Sequence, residues 1–149
     1  MNIILKKAED REEFVSLRSR VLRAANKLSD NTDMKEVERE SRSFFDTGDH
    51  VTLYAYADGC FAGCGSVCFH ALMPTYQNPS GKKAYVMNMY TQPEFRRRGV
   101  ATRILTALMD EARKKGVTSV SLEATDMGRP CYEKFGFVPS EAEMEYRLE

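Results

Sequence analysis

Three consecutive arginines, Arg96, Arg97 and Arg98, run into Gly99, Val100, Ala101 and Thr102 within the stretch TQPEFRRRGVATRIL, Thr91 to Leu105. Residues of these types can hold an oxyanion in two ways. Guanidinium groups give charge-assisted bonds to phosphate oxygens. A helix that begins at a glycine offers unpaired N–H groups and the positive end of its dipole. Small residues at 99 and 101 let an oxygen-rich group approach the backbone. Behind them Val100, Ile104, Leu105, Leu108, Met109 and Ala112 recur at helical spacing. The spacing predicts a helix N-terminus shaped as a pyrophosphate cradle. The competing readings are a patch for nucleic acid and a solvated basic turn. The chain carries 22 Lys and Arg against 22 Asp and Glu. A general polyanion binder shows a strong basic excess, so the balance argues against a nucleic-acid partner.

The elements that must hold the cradle are legible around it. At 149 residues the chain is the size of one domain, 1–149, with a core of its own. Ile3 to Lys6 reads as a first strand. Phe14, Leu17, Val21 and Leu22 mark one face of a first helix, and Met34, Val37, Ser41 and Phe44 or Phe45 one side of a second, ended by Gly48. Val51, Leu53, Ala55 and Ala57 alternate with Thr52, Tyr54 and Tyr56, and Asp58-Gly59 is a preferred tight-turn dipeptide, so a hairpin returns along Cys60 to Ala71. Met73 to Lys83 is a loop punctuated by Pro74, Pro79 and Gly81. AYVMNMYT, 84–91, reads as a central strand covered on both sides. After the long helix come a strand in VTSVSLEAT, a short helix opened by Pro130, a strand at GFV, and a last strand in which Met144, Tyr146 and Leu148 alternate. The unit from Tyr85 to Thr125 is a right-handed parallel βαβ crossover.

Cys60, Cys64 and Cys68 share a C-x3-C-x3-C spacing, which on a helix would suggest a metal. On a strand they share a face but spread along it, too far apart for one tetrahedral ion. They are therefore expected to be small buried residues, with no metal. The chain has no apolar run of the length a membrane span needs, so no membrane partner is expected, and a reduced, cytoplasmic location is the expectation.

Two motifs carry a family resemblance. RRRGVA, with Arg96, Gly99 and Ala101, resembles the Q/R-x-x-G-x-G/A signature of the GCN5-related N-acetyltransferases (GNAT), and CYEKFGFVP, with Tyr132, Gly136 and Phe137, resembles that family's Y-x-x-x-G-F motif. The resemblance covers nearly the whole chain. It implies the family's α/β (α+β) fold, a central mixed, mostly antiparallel sheet of six to seven strands flanked by about four helices. It implies acetyl transfer from acetyl-CoA as cosubstrate to an amine of a small molecule or peptide, with a non-catalytic acyl-CoA-binding module as the alternative. Met89, Tyr90 and Thr91 would hold the acetyl carbonyl and pantetheine through their backbone. Arg97, Arg98, Gly99, Val100, Ala101 and Thr102 would wrap the pyrophosphate, with Arg96 in the signature position. Dimers are common in the family, which makes a homodimer the assembly to test.

Attack by an amine on a thioester needs an acceptor for the amine's proton and a donor for the thiolate. The resemblance makes Tyr132 the acid. Some members carry a base where this chain has Tyr85; others use a Glu on the next strand, which Glu123 matches. His70, at the end of the hairpin, has a suitable pKa range, and Asp126 follows the strand end, where it could cap the short helix. Asn88 is a polar residue in an apolar strand beside the acetyl-binding positions and could orient the acceptor. Tyr76, in the long loop, is a further acceptor-contact candidate, as is His70. Glu36, Glu38 and Glu40 give the second helix an acidic rim that would suit a cationic amine.

Overall fold

The structure, a computed structural model, describes residues 1–148. Its order is β1 (Ile3–Lys7), α1 (Arg11–Asn26), α2 (Lys35–Thr47), β2 (His50–Ala57), β3 (Cys60–Ala71), β4 (Lys82–Thr91), a 3-10 turn (Pro93–Phe95), α3 (Val100–Lys114), β5 (Ser119–Leu122) and α4 (Arg129–Phe135). The strands lie in one sheet in sequence order. Neighbours from β1 to β4 are antiparallel, and β4 and β5 are parallel across the α3 crossover. The mixed, mostly antiparallel sheet is the one expected, but it has five strands, not six to seven. GFV and the segment holding Met144, Tyr146 and Leu148 form no strand, and Val138, Met144, Tyr146 and Leu148 are exposed. Alternation alone does not make a strand; it takes a paired edge and a face to bury.

Alternation in β2, β3 and β4 sends two kinds of side chain to two faces. On one, Leu53, Ala55, Val67, Ala84 and Val86 pack against Val100, Ile104, Leu105 and Leu108 of α3. Gly65 makes that approach close: a Cβ there would run into Met89 and Ile104. On the other, Tyr54 and Cys64 meet Val21 of α1. Asp10 caps α1, its Oδ1 accepting from the amides of Glu12 at 2.9 Å and Glu13 at 3.4 Å. Helix α2 has no buried residue; it rests on α1 chiefly through Phe45 against Phe14 (centroids 5.1 Å apart) and roofs a cleft rather than sealing a core.

The cysteines depart from their expected burial. Cys64 is buried and Cys68 half-buried, but Cys60 is exposed. A register shift between Ala55 and Tyr56 breaks the ladder before Cys60, which stands at the hairpin turn opposite Ala57.

Candidate active site

The end of β4 is irregular in a way that opens a site. Ser66 pairs with Met87 and Cys64 with Tyr90, so Gly65 alone faces two residues, Asn88 and Met89. That is a β-bulge, and Asn88 takes the left-handed conformation it requires, with φ 61°. On the other edge, pairing with β5 stops at Val86 and Leu122, while β4 continues to Thr91. Over residues 87–91 that edge of the strand has no strand partner, so backbone groups there are left open to a ligand.

Beyond the opening, the chain turns through Pro93–Phe95 into the arginine stretch. Arg96 folds back, its Nε donating to the Thr91 carbonyl at 3.0 Å, and so braces the turn. Arg97 and Gly99 are both left-handed, with φ 61° and 83°. Such alternation points successive N–H groups into one concavity, an anion nest. Gly99 is the N-cap of α3, and no side chain caps the helix. Space around Gly99 is open, and Arg97, Arg98 and Thr102 are exposed. At Gly99, Val100 and Ala101, three positions of the expected cradle, the helix start therefore presents backbone rather than charged side chains, with Val100 packed into the core beneath.

On the α1 side of the bulge lies a cleft of about 490 Å³ between α1, α2 and the sheet. Its walls are Phe14, Leu22, Val37, Phe44 and Met87. Its floor is a chain of polar side chains. Arg18 Nη1 donates to Asn88 Oδ1 at 3.1 Å, and Asn88 Nδ2 donates to Ser66 Oγ at 3.1 Å. Ser66 Oγ is 2.7 Å from Thr52 Oγ1, which is 3.3 Å from His50 Nδ1. Arg18 fixes the direction of the first two bonds in this chain. A guanidinium only donates, so the amide oxygen of Asn88 faces it and the amide nitrogen faces Ser66. Between Ser66 and Thr52 either hydroxyl can donate, and the tautomer of His50 sets the direction of the last bond. In the tautomer that carries its proton on Nε2, Nδ1 of His50 accepts from Thr52. Burial among Phe14, Phe44 and Phe45 lowers the His50 pKa below its ordinary value, a little offset by the Phe45 backbone and Asp49. The ring is therefore a neutral base near pH 7. Burial also pushes the thiols up, Cys64 to about 12 and Cys68 in the same direction, against the pull of Arg18.

The remaining expected residues are spread apart. Tyr132 is half-buried beside Phe137 (centroids 6.1 Å apart) at the edge of the α3 core, and burial raises its pKa, which keeps the phenol protonated. Among the described residues its hydroxyl has no hydrogen-bond partner. Glu123 is exposed, one residue past β5, which is shorter than its sequence pattern; it lies outside the cleft lining. His70 is exposed opposite Lys83, and Tyr76 is 96% exposed in the loop, both away from the cleft. Asn88 alone among the acceptor-contact candidates is central. Sequence reasoning missed Arg18, His50, Thr52, Ser66 and Cys68. A usable signal was present in the polar half of the hairpin, where residues 50, 52, 66 and 68 all carry heteroatoms.

A five-stranded mixed sheet, a bulged and splayed central strand and an uncapped helix with an anion nest define an acyl-CoA-type acyltransferase fold. The family model described as the acetyltransferase (GNAT) family matches residues 16–137, and the chain belongs to that family. It is 27% identical over 110 residues to the uncharacterized N-acetyltransferase YhfO of Bacillus subtilis, covering 71% of this chain and 70% of that protein. Among solved structures it is similar to a predicted acetyltransferase of Clostridium acetobutylicum with acetyl-CoA, at 31% identity and TM-score 0.86, covering 99% of this chain and 97% of that one. The fold also resembles glucosamine-6-phosphate N-acetyltransferase of Arabidopsis thaliana, at 20% identity and TM-score 0.70 over the full length of both. No described helix is long and apolar enough to cross a membrane.

Proposed function

We propose that the protein transfers an acetyl group from acetyl-CoA to a primary amine of a small molecule, by direct attack within a ternary complex. The observation that carries this is the adjacency of three features: the open edge of β4 at 87–91, the anion nest at 97–99 heading α3, and the cleft reaching the bulge at Asn88. Acetyl-CoA suits the first two. An uncapped helix N-terminus suits its pyrophosphate, with the amides of Arg97 to Thr102 as donors and Arg97 and Arg98 at the rim. The backbone of Met89, Tyr90 and Thr91 would hold the pantetheine and acetyl carbonyl. When bound, acetyl-CoA supplies a thioester in which the amine's new C–N bond replaces the C–S bond.

The chain's own residues then manage protons. The amine's proton passes to Ser66, along Thr52 and onto Nδ1 of His50, in the tautomer whose Nδ1 is free to accept. Tyr132, held protonated by burial, is the donor for the thiolate. His50 is preferred to Glu123 as base because His50 lines the cleft and Glu123 does not. A covalent cysteine route is disfavoured, since burial keeps Cys68 a thiol. The non-catalytic alternative is favoured by one observation, that Tyr85 occupies the β4 position where some members carry a base.

Calorimetry with acetyl-CoA and CoA, together with thiol release over an amine panel, tests the proposal. Turnover that falls about 100-fold or more in Tyr132→Phe and in His50→Gln, but not in Glu123→Gln, is expected. Cofactor binding without turnover of any amine would favour the non-catalytic module; no binding by a folded sample would sink both.

A further inference from the structure

We infer that the acceptor is an α-amino acid with an apolar side chain, its carboxylate held by Arg18. The inference rests on the acetyl-transfer reading and narrows it. Arg18 is half-buried beneath the cleft, and burial lowers its pKa. Among the described residues it has no carboxylate partner. Its neighbours differ: Arg11 pairs with Asp46 at 3.1 Å, and Arg42 with Glu12 at 3.0 Å. Those two sit in water, where pairing gains little. Arg18 is shielded from water and has no anion, although a shielded charge is the one that most needs a partner; Arg23, also half-buried and without a carboxylate, lies outside this cleft and donates to the Thr32 carbonyl. A guanidinium carries five donors, and Arg18 spends one, on Asn88. What remains suits a planar two-oxygen anion, bound in parallel by the fork.

Position then limits what bears the anion. Arg18 is bonded directly to Asn88, at the first open residues of β4 where the acyl group would lie. An anion on Arg18 and an amine at the opening must therefore be close neighbours in one molecule. An α-amino acid has its amine one carbon from its carboxylate. A lysine side chain holds its amine too far from its carboxylate, and a peptide N-terminus has a neutral amide where the carboxylate would be. Phe14, Leu22, Val37, Phe44 and Met87 give the remaining space apolar walls. Glu36 and Glu40 line the α2 side, so a carboxylate is repelled there and directed to Arg18.

The test compares acids with their own amides. Thiol release is followed with L-methionine, L-leucine and L-phenylalanine, with their primary amides, and with the corresponding decarboxylated amines. The acids are expected to exceed the amides in kcat/KM by about tenfold to a hundredfold, the size of a charge-assisted bond pair. Arg18→Gln should bring the acid-to-amide ratio of kcat/KM down to about one whatever it does to both rates through Asn88, whereas a folding defect scales both rates and leaves the ratio unchanged; Arg18→Lys should recover part of the preference. Amides or peptide N-termini equal to or better than the acids in the wild type would overturn the inference. Should no amine turn over, the acetyl-transfer reading fails, and the CoA-loaded protein titrated with N-acetyl-L-methionine and its amide decides Arg18. Binding of the acid alone upholds a carboxylate site there; equal binding, or none, removes it.

Discussion

On the α3 side of the sheet, Leu53, Val67, Ala84 and Val86 meet Ile104, Leu105 and Leu108, and every one is buried. On the α1 side, the residues adjacent to these in sequence are Thr52, Ser66 and Asn88's neighbour Met87, and the layer above them is a cleft. Thr52 and Ser66 are as buried as the α3-side residues, at 3% and 5% exposure. Their hydroxyls are satisfied by each other, as buried polar groups must be. One face thus uses burial for cohesion. The other uses burial to hold a line of hydrogen bonds between polar side chains. Period-two alternation lets one strand serve both, because neither face needs the other's side chains.

The contrast can be broken from either side. The largest effect is expected from Leu108→Ala on the α3 face, which should lower stability by about 2–5 kcal/mol in urea unfolding, while the folded fraction keeps its preference among acceptors. His50→Gln acts in the opposite sense. It should lower kcat/KM by about 100-fold with little change in the unfolding midpoint at neutral pH. His50 has a folded pKa below its unfolded one, so its contribution to stability is present above about 6.5 and is lost as pH falls through the folded value. The wild type should therefore lose more stability between neutral and mildly acidic pH than His50→Gln does. The acid limb of the wild-type rate profile, lying below the ordinary histidine range, should vanish in that variant.

Gly99→Ala probes the cradle alone. Its φ of 83° costs a non-glycine residue about 1–2 kcal/mol, and no atom stands in the way of the new methyl. Acetyl-CoA affinity measured by calorimetry should weaken as the nest relaxes, with acceptor discrimination unchanged. The smallest effect belongs to Glu12→Gln, which removes the exposed bridge from Arg42 that ties α2 to α1, together with the bridge from Arg11 within α1. Thermal melting should show no resolvable shift; a clear loss would mean that α2 depends on those ions rather than on Phe44 and Phe45.

How much of this could be read beforehand differs between the two sides as well. The α3 face was legible, since Val100, Ile104, Leu105 and Leu108 announce both a helix and its buried stripe. The uncapped helix start at Gly99 was legible because it is local, made of consecutive residues. The cleft floor was not. Arg18 looks like Arg11, Arg20 or Arg23 on the same helix, and its partner Asn88 is 70 residues away. His50 gains its role only when β2 and β3 place Thr52 beside Ser66. Asn88 stood out as polar in an apolar strand, but its left-handed backbone could not be inferred without the register. At the C-terminus the opposite happened: a good strand pattern at Met144, Tyr146 and Leu148 found no pairing in the sheet.

The bulge in β4 has a further consequence. Before it, the even-numbered Ala84 and Val86 face α3; after it, the odd-numbered Met89 does, and Tyr90 turns to the other side. The strand is in effect read in two frames, with Asn88 as the inserted letter. Removing that letter would restore one continuous frame in which Val86, Met87, Met89 and Tyr90 all keep their present sides. The packing has no use for the extra residue. What the extra residue adds is the Asn88 amide that links Arg18 to the hydroxyls.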